Sequence, residues 1–204
     1  GAGAAILNTT GSNNVAIGKD ALDANTTASA NIAIGTNALG VNTTGPQNNA
    51  LGVNALDANT TAGYNNAFGT NALSANQTGQ NNTAMGDSAL AANTTAANNT
   101  GIGFEALKVN TTGERNTAVG SLSADAITTG NFNTAVGYNS LSATTTGSYS
   151  TSIGDTSLNA NSTGEHNSAL GQGALQNNST AESNTAIGSA ALNQNTTGAS
   201  NVGI

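Results

Sequence analysis

Few side chains in this sequence are of a type that could do chemistry. The one His, His166, follows Glu165, an acid–base pair by type. A general base needs a held partner and a tuned environment. Both residues fall among surface positions, so the pair reads as solvated. Asp20 and Asp23 are scattered rather than repeated, and no Gly-rich Asp loop of a calcium-binding roll is present. No metal, no cofactor and no enzymatic activity are expected. What does recur is the sequon Asn-x-Ser/Thr, at Asn8, Asn25, Asn42, Asn59, Asn76, Asn93, Asn110, Asn161, Asn178 and Asn195, and also at Asn81 and Asn98. In a glycosylating host these side chains are sugar acceptors. Buried as a ladder at a turn, the same Asn would be closed to sugar.

The spacing of the sequons leads to the elements that must hold them. They step by 17 residues, and so does Gly, from Gly1 and Gly18 to Gly171 and Gly188, with no insertion. Counting that Gly as position 1, the unit reads G-x-x-A-L-x-x-N-T-T-G-x-x-N-T-A-ϕ, and residues 1–204 are twelve such units. A fixed period of this size means a solenoid, so the chain is a single repeat array. Terminal caps of the kind repeat arrays need are missing, and a segment of a longer fibre is expected.

Each position is read from what it tolerates. Position 1 is always Gly, position 10 always Thr, position 16 always Ala, Gly or Ser, and position 17 always bulky and apolar, from Ile17 to Ile204. Every charged residue falls at positions 2, 3, 6, 12 or 13, which therefore face solvent. Asn, Thr and Gly are poor helix formers. The expectation is all-β: a parallel β-solenoid, or β-roll, of twelve 17-residue coils with two short strands per coil. One strand runs through Asn-Thr-Ala-ϕ and the other lies around Ala-Leu. Gly forms one corner and Asn-Thr-Thr-Gly the other. Stacking turns positions 8 and 14 into Asn ladders and lets Thr at position 10 pair with the Thr above and below.

Composition excludes several partners. Only 6% of residues are charged and the net charge is -7 with three basic residues. That leaves too few cations for nucleic acid or an anionic membrane surface. No apolar run reaches the roughly 18 residues of a membrane span. Ala at position 16 and the aliphatic at position 17 point to opposite sides of a strand. If Ala faces the coil interior, a column of Ile, Leu, Val and Phe is left outside, where it would aggregate. A second copy covering that column is expected, so the chain should be a homo-oligomer.

Most aromatics also sit at surface positions: Tyr64, Phe132 and Tyr149 at position 13, Phe104 and Tyr138 at position 2. Phe132 and Tyr149 should stack across one coil. With Tyr138 they are candidate surface contacts, since exposed aromatics bind sugar faces or partners. Units eight and nine, from Leu122 to Ser150, break the pattern. Ala124 replaces Leu, with Leu122 two residues earlier. Ile127 and Thr144 replace the position 8 Asn, and Ser150 the position 14 Asn. A bulge or a contact site would each account for this.

The run N-[TV]-A-[IV]-G-x-x-A, seen at residues 14–21 and 184–191, resembles the head repeat of trimeric autotransporter adhesins. It is also similar to shaft repeats of bacteriophage tail fibres. The resemblance covers all twelve units, though the unit here is longer by Asn-Thr-Thr-Gly. It implies a left-handed parallel β-roll, three chains around one axis, and an extracellular place on a virion or cell surface. The expected function is a non-enzymatic structural shaft. The alternatives are an adhesin head holding a host receptor or glycan on its lateral surface, and a subunit of an extracellular filament. Regular Thr rows are also similar to ice-binding solenoids, but Thr9 and Thr10 are adjacent and point to opposite sides.

Overall fold

The computed structural model describes all 204 residues, Gly1–Ile204. The chain is a parallel β-solenoid whose strands form one twelve-stranded sheet in chain order. The strands are β1 (Val15–Ile17), β2 (Ile32–Ile34), β3 (Asn49–Leu51), β4 (Asn66–Phe68), β5 (Thr83–Met85) and β6 (Thr100–Ile102). They continue as β7 (Thr117–Val119), β8 (Thr134–Val136), β9 (Thr151–Ile153), β10 (Ser168–Leu170), β11 (Thr185–Ile187) and β12 (Val202–Gly203). Each pairs with the next at one repeat's offset, as Ala33 with Ala50 and Ala118 with Ala135. Coil n is named here for its strand βn.

Each coil holds one strand, not the two expected. The stretch around Ala-Leu is a turn, because positions 3 and 5 both take positive φ, for example 55° at Asp20 and 54° at Leu22. Alternating hand breaks the extended pleat but not the bonding between coils. The Asp20 N–H donates back to Ala2 O at 2.9 Å, and the Leu22 N–H donates forward to Ala38 O at 2.9 Å. Of 131 backbone hydrogen bonds only 22 lie within the strands, so the turns carry most of the axial bonding. A left-handed Leu costs roughly 1–2 kcal/mol. Its complete burial in the coil, worth about 1.5–3 kcal/mol, offsets that.

The position 1 Gly is required twice over. At Gly52 φ is 142°, and a Cβ there would lie 2.3 Å from Gly69 O in the next coil. Inside the coil, Leu at position 5 is stacked in single file between Ala at positions 4 and 16, as Leu56 with Ala50 and Ala55, all fully buried.

The other half of the interior is polar in most coils and is ordered by amides. Asn59 Nδ2 donates to Asn42 Oδ1 in the previous coil (2.9 Å) and to Ala62 O across its own turn (3.0 Å). Asn48, at position 14, accepts the Asn65 N–H on its Oδ1 (3.0 Å) and donates Nδ2 to that same Ala62 O (2.8 Å). Both ladders therefore converge on the position 11 carbonyl. The position 8 ladder is amide to amide, as expected. The position 14 ladder runs mainly from side chain to backbone.

Thr at position 10 does not form the expected Thr–Thr ladder. It is exposed in all twelve coils, and its hydroxyl bonds to nothing in the chain. Its neighbour at position 9 makes the axial bond instead, as from Thr43 Oγ1 to Thr60 O at 3.0 Å.

Candidate functional site

The feature best placed to meet a partner is the outer face of the sheet. In β8 the small Ala135 points inward and is buried, while Thr134 and Val136 point out and are partly exposed. Repeated over the strands, this puts two columns outside. The position 17 column is aliphatic or aromatic, with Ile17 57%, Leu170 48% and Ile187 44% exposed. The position 15 column begins with Val15 and Ile32, passes through Asn49 and Asn66, and continues as Thr from Thr83 to Thr151. No charged residue lies in either column. Between them, Ile153, Ser168, Leu170, Thr185 and Ile187 line a shallow apolar recess.

Beside this face, at position 13, a continuous stack climbs four coils. Phe132 and Tyr149 lie with ring centroids 4.9 Å apart and planes 7° from parallel. His166 continues the stack above Tyr149 at 5.1 Å and 6°, and the Arg115 guanidinium covers the other face of Phe132 at 5.1 Å. The left-handed backbone at position 13, φ 58° at both Phe132 and Tyr149, aims every side chain outward in the same way. The sequence identifies Phe132 over Tyr149. It also carries the signal for Arg115 and His166, which share their position, but planarity has to be counted together with aromaticity to find it. Both faces of Phe132 and Tyr149 are covered, so the stack presents ring edges. The ring-face contact with sugar that exposed aromatics commonly offer is closed along it. Tyr138 stands apart on the far side of the strand and is 51% exposed.

The interior of the same coils is irregular, without a bulge. Leu122 stays partly exposed and does not replace the missing core Leu. Ile127 does: it is fully buried and joins the core beside Ala124. A hydroxyl cluster that the sequence reading missed lies one coil on. Ser140 Oγ donates to Ser152 Oγ at 2.8 Å, and Ser152 and Ser157 share a 2.6 Å contact. Its signal is Ser at position 4 in three successive coils, Ser123, Ser140 and Ser157, with Ser152 as the one Ser at position 16.

Eight of the ten position 8 sequons, Asn25 to Asn110 together with Asn161 and Asn178, have fully buried side chains. Where Nδ2 would carry a sugar it donates inside the coil instead, as Asn93 does to Asn76 Oδ1 (2.9 Å) and Ala96 O (3.0 Å). The folded coil has no room for glycan there, which corrects that reading for these eight. Asn8 and Asn195, in the end coils, are more open. Asn81 and Asn98 at position 13 are exposed.

Two carboxylates are perturbed. Burial pushes Asp57 and Asp125 up from the ordinary value, against opposing backbone hydrogen bonds. Each has one carboxylate oxygen enclosed and without a partner. Asp57 lines a shallow recess with Asp20 and Asp23 beside Gly40, but these side chains do not converge as a metal-binding group. No protein-family model, curated protein or solved structure matches the chain.

Proposed function

We propose that this chain is a non-enzymatic structural shaft, part of a tail fibre or cell-surface appendage outside the cell, in which three copies associate through their outer strand faces. The observation that carries the reading is the uncharged double column at positions 15 and 17, which runs unbroken over twelve strands of a stack with no long loops. The face is about 53 Å long at ~4.8 Å per coil and about 10 Å wide for a three-residue strand. That gives roughly 500 Å² per chain, short of the ~800 Å² per partner of a standard interface, so flanking positions must supply the remainder. Covering the face supplies the apolar burial that one row of Leu per coil leaves short. Length, stiffness and protease resistance follow from the ladders and the short turns.

Val136→Asp tests the reading. A carboxylate on this face leaves the coil interior unchanged, because Val136 points outward. The variant is expected to keep its circular dichroism spectrum and lose association. Unchanged association in this variant rejects the strand face as the contact.

A further inference from the structure

Tandem copies create a problem for any assembly of this chain with itself. Sliding one copy by one coil forfeits one of twelve near-identical contacts and restores the rest. Register is weakly specified wherever neighbouring positions look alike. An assembly with a single register therefore needs something on the contact face that does not repeat.

The outer sheet face has one such feature. Asn49 in β3 and Asn66 in β4 are the only amides in the position 15 column, between Val15 and Ile32 on one side and the Thr run on the other. Their side chains are joined, with Asn49 Nδ2 donating to Asn66 Oδ1 at 2.7 Å. That single bond leaves Asn49 Oδ1 and Asn66 Nδ2 with no partner in the chain, although both residues are half-buried. On the same strand as Asn66, Phe68 is the one aromatic of the position 17 column. The fold does not require amides here, since Val15 and Ile32 fill the equivalent sites of coils 1 and 2.

We propose that Asn49 and Asn66 are the register key of a homotypic interface, and that their partner is the same amide pair on neighbouring copies of this chain. The inference rests on the association argued above. With copies parallel around an axis along the shaft, columns near the axis meet their own counterparts at equal height. In register, the free Oδ1 of Asn49 and the free Nδ2 of Asn66 find amides on the next copy. A slipped copy sets an amide against Ile32 or the methyl of Thr83 and strands a polar group in a drying interface. One polar position in an apolar seam selects register in this way and lowers stability.

The test uses the absence of Cys from the chain. A spin label on Thr95→Cys, an exposed position away from the strand face, reports distances between copies. The otherwise native chain is expected to give one intermolecular distance. The N49V/N66V variant is expected to associate at least as tightly and melt no lower. It should show additional longer distances, from axial slips in steps of ~4.8 Å that add in quadrature to the lateral separation, with about a tenfold or greater rise in the slipped fraction. N49T/N66T, which installs the residue of β5 to β9, should behave alike. A single unchanged distance in both variants overturns the key and leaves the association standing. Dissociation of the variants also overturns it, since the amides would then supply affinity rather than register. A labelled chain that is monomeric overturns the key together with the association.

Discussion

Ile127 lies in the coil after Asn110 and takes the place of the Asn that would have answered it, so Asn110 Oδ1 is buried with no partner. One substitution explains another in this coil. Ala124 removes core volume at position 5, and Ile127 returns it from position 8, on the wall that is otherwise polar.

Restoring the common pattern at both sites should therefore stabilise the shaft. A124L/I127N returns the Leu stack and gives Asn110 Oδ1 a donor, and a buried unsatisfied group costs about 1–3 kcal/mol. The double variant is expected to melt higher than the parent. I127N alone should melt lower, since it empties the core beside Ala124, and A124L alone should overpack. A thermal-melt cycle over the four proteins reads the coupling. Additive effects would contradict the exchange of volume between the two positions.

Recurrence across the repeats has two physical origins, and substitution separates them. Asn93→Ala removes donors to Asn76 Oδ1 and Ala96 O and the acceptor for Asn110 Nδ2. Three broken bonds at about 1 kcal/mol net each give roughly 3 kcal/mol of destabilisation. Thr95→Ala, at the other end of the same Asn-Thr-Thr turn, touches no bond in the chain and should stay within about 0.5 kcal/mol of the parent. Chemical denaturation of both proteins checks the contrast. A large loss at Thr95 would mean that the position 10 hydroxyl has a structural partner.

Gly137→Ala should be worse than either. φ is 132°, and the added Cβ would lie 2.5 Å from Gly154 O, a backbone atom that cannot step aside. Left-handed strain together with the clash sets the cost at about 3 kcal/mol or more. It should be read as lost axial protection in hydrogen exchange around coils 8 to 10. Wild-type protection there would contradict the assigned stacking.

Stability should rise as the solution is made mildly acidic. Burial raises Asp57 and Asp125 in the folded chain above their unfolded value. The folded state thus binds protons more readily than the unfolded state as pH falls from neutral. The gain builds as pH drops through the raised folded values and levels off below about pH 4, where the unfolded carboxyls protonate too. Calorimetric melts from pH 7 downward should climb, and D57N/D125N should flatten that climb. Melts that fall over this range with both Asp present would contradict the burial.

Much of the architecture is legible in the residues because each repeat position has one job. Leu at position 5, a small residue at position 16 and Asn at position 8 recur in all but a few coils, so the solenoid, its period and its inner ladder follow from pattern alone. The turn that stands where a second strand was expected was not legible. Leu22 and Asp20 adopt left-handed backbone, which L-residues disfavour, and only coil-to-coil bonding compels it. Thr at position 10 misled for the opposite reason, since an invariant residue is read as internal and this one faces water. At the candidate site, the stacking of Phe132 on Tyr149 is legible from aromaticity, while Arg115 and His166, at the same position, extend the stack by planarity instead.

On the proposed association, further copies of the chain cover the exposed column from Ile17 to Ile187. Light scattering coupled to size exclusion measures this most directly. A particle of three times the 19.7 kDa chain mass is expected, unchanged on dilution through the micromolar range. A particle of one chain mass, folded and soluble with that column open to water, would contradict it.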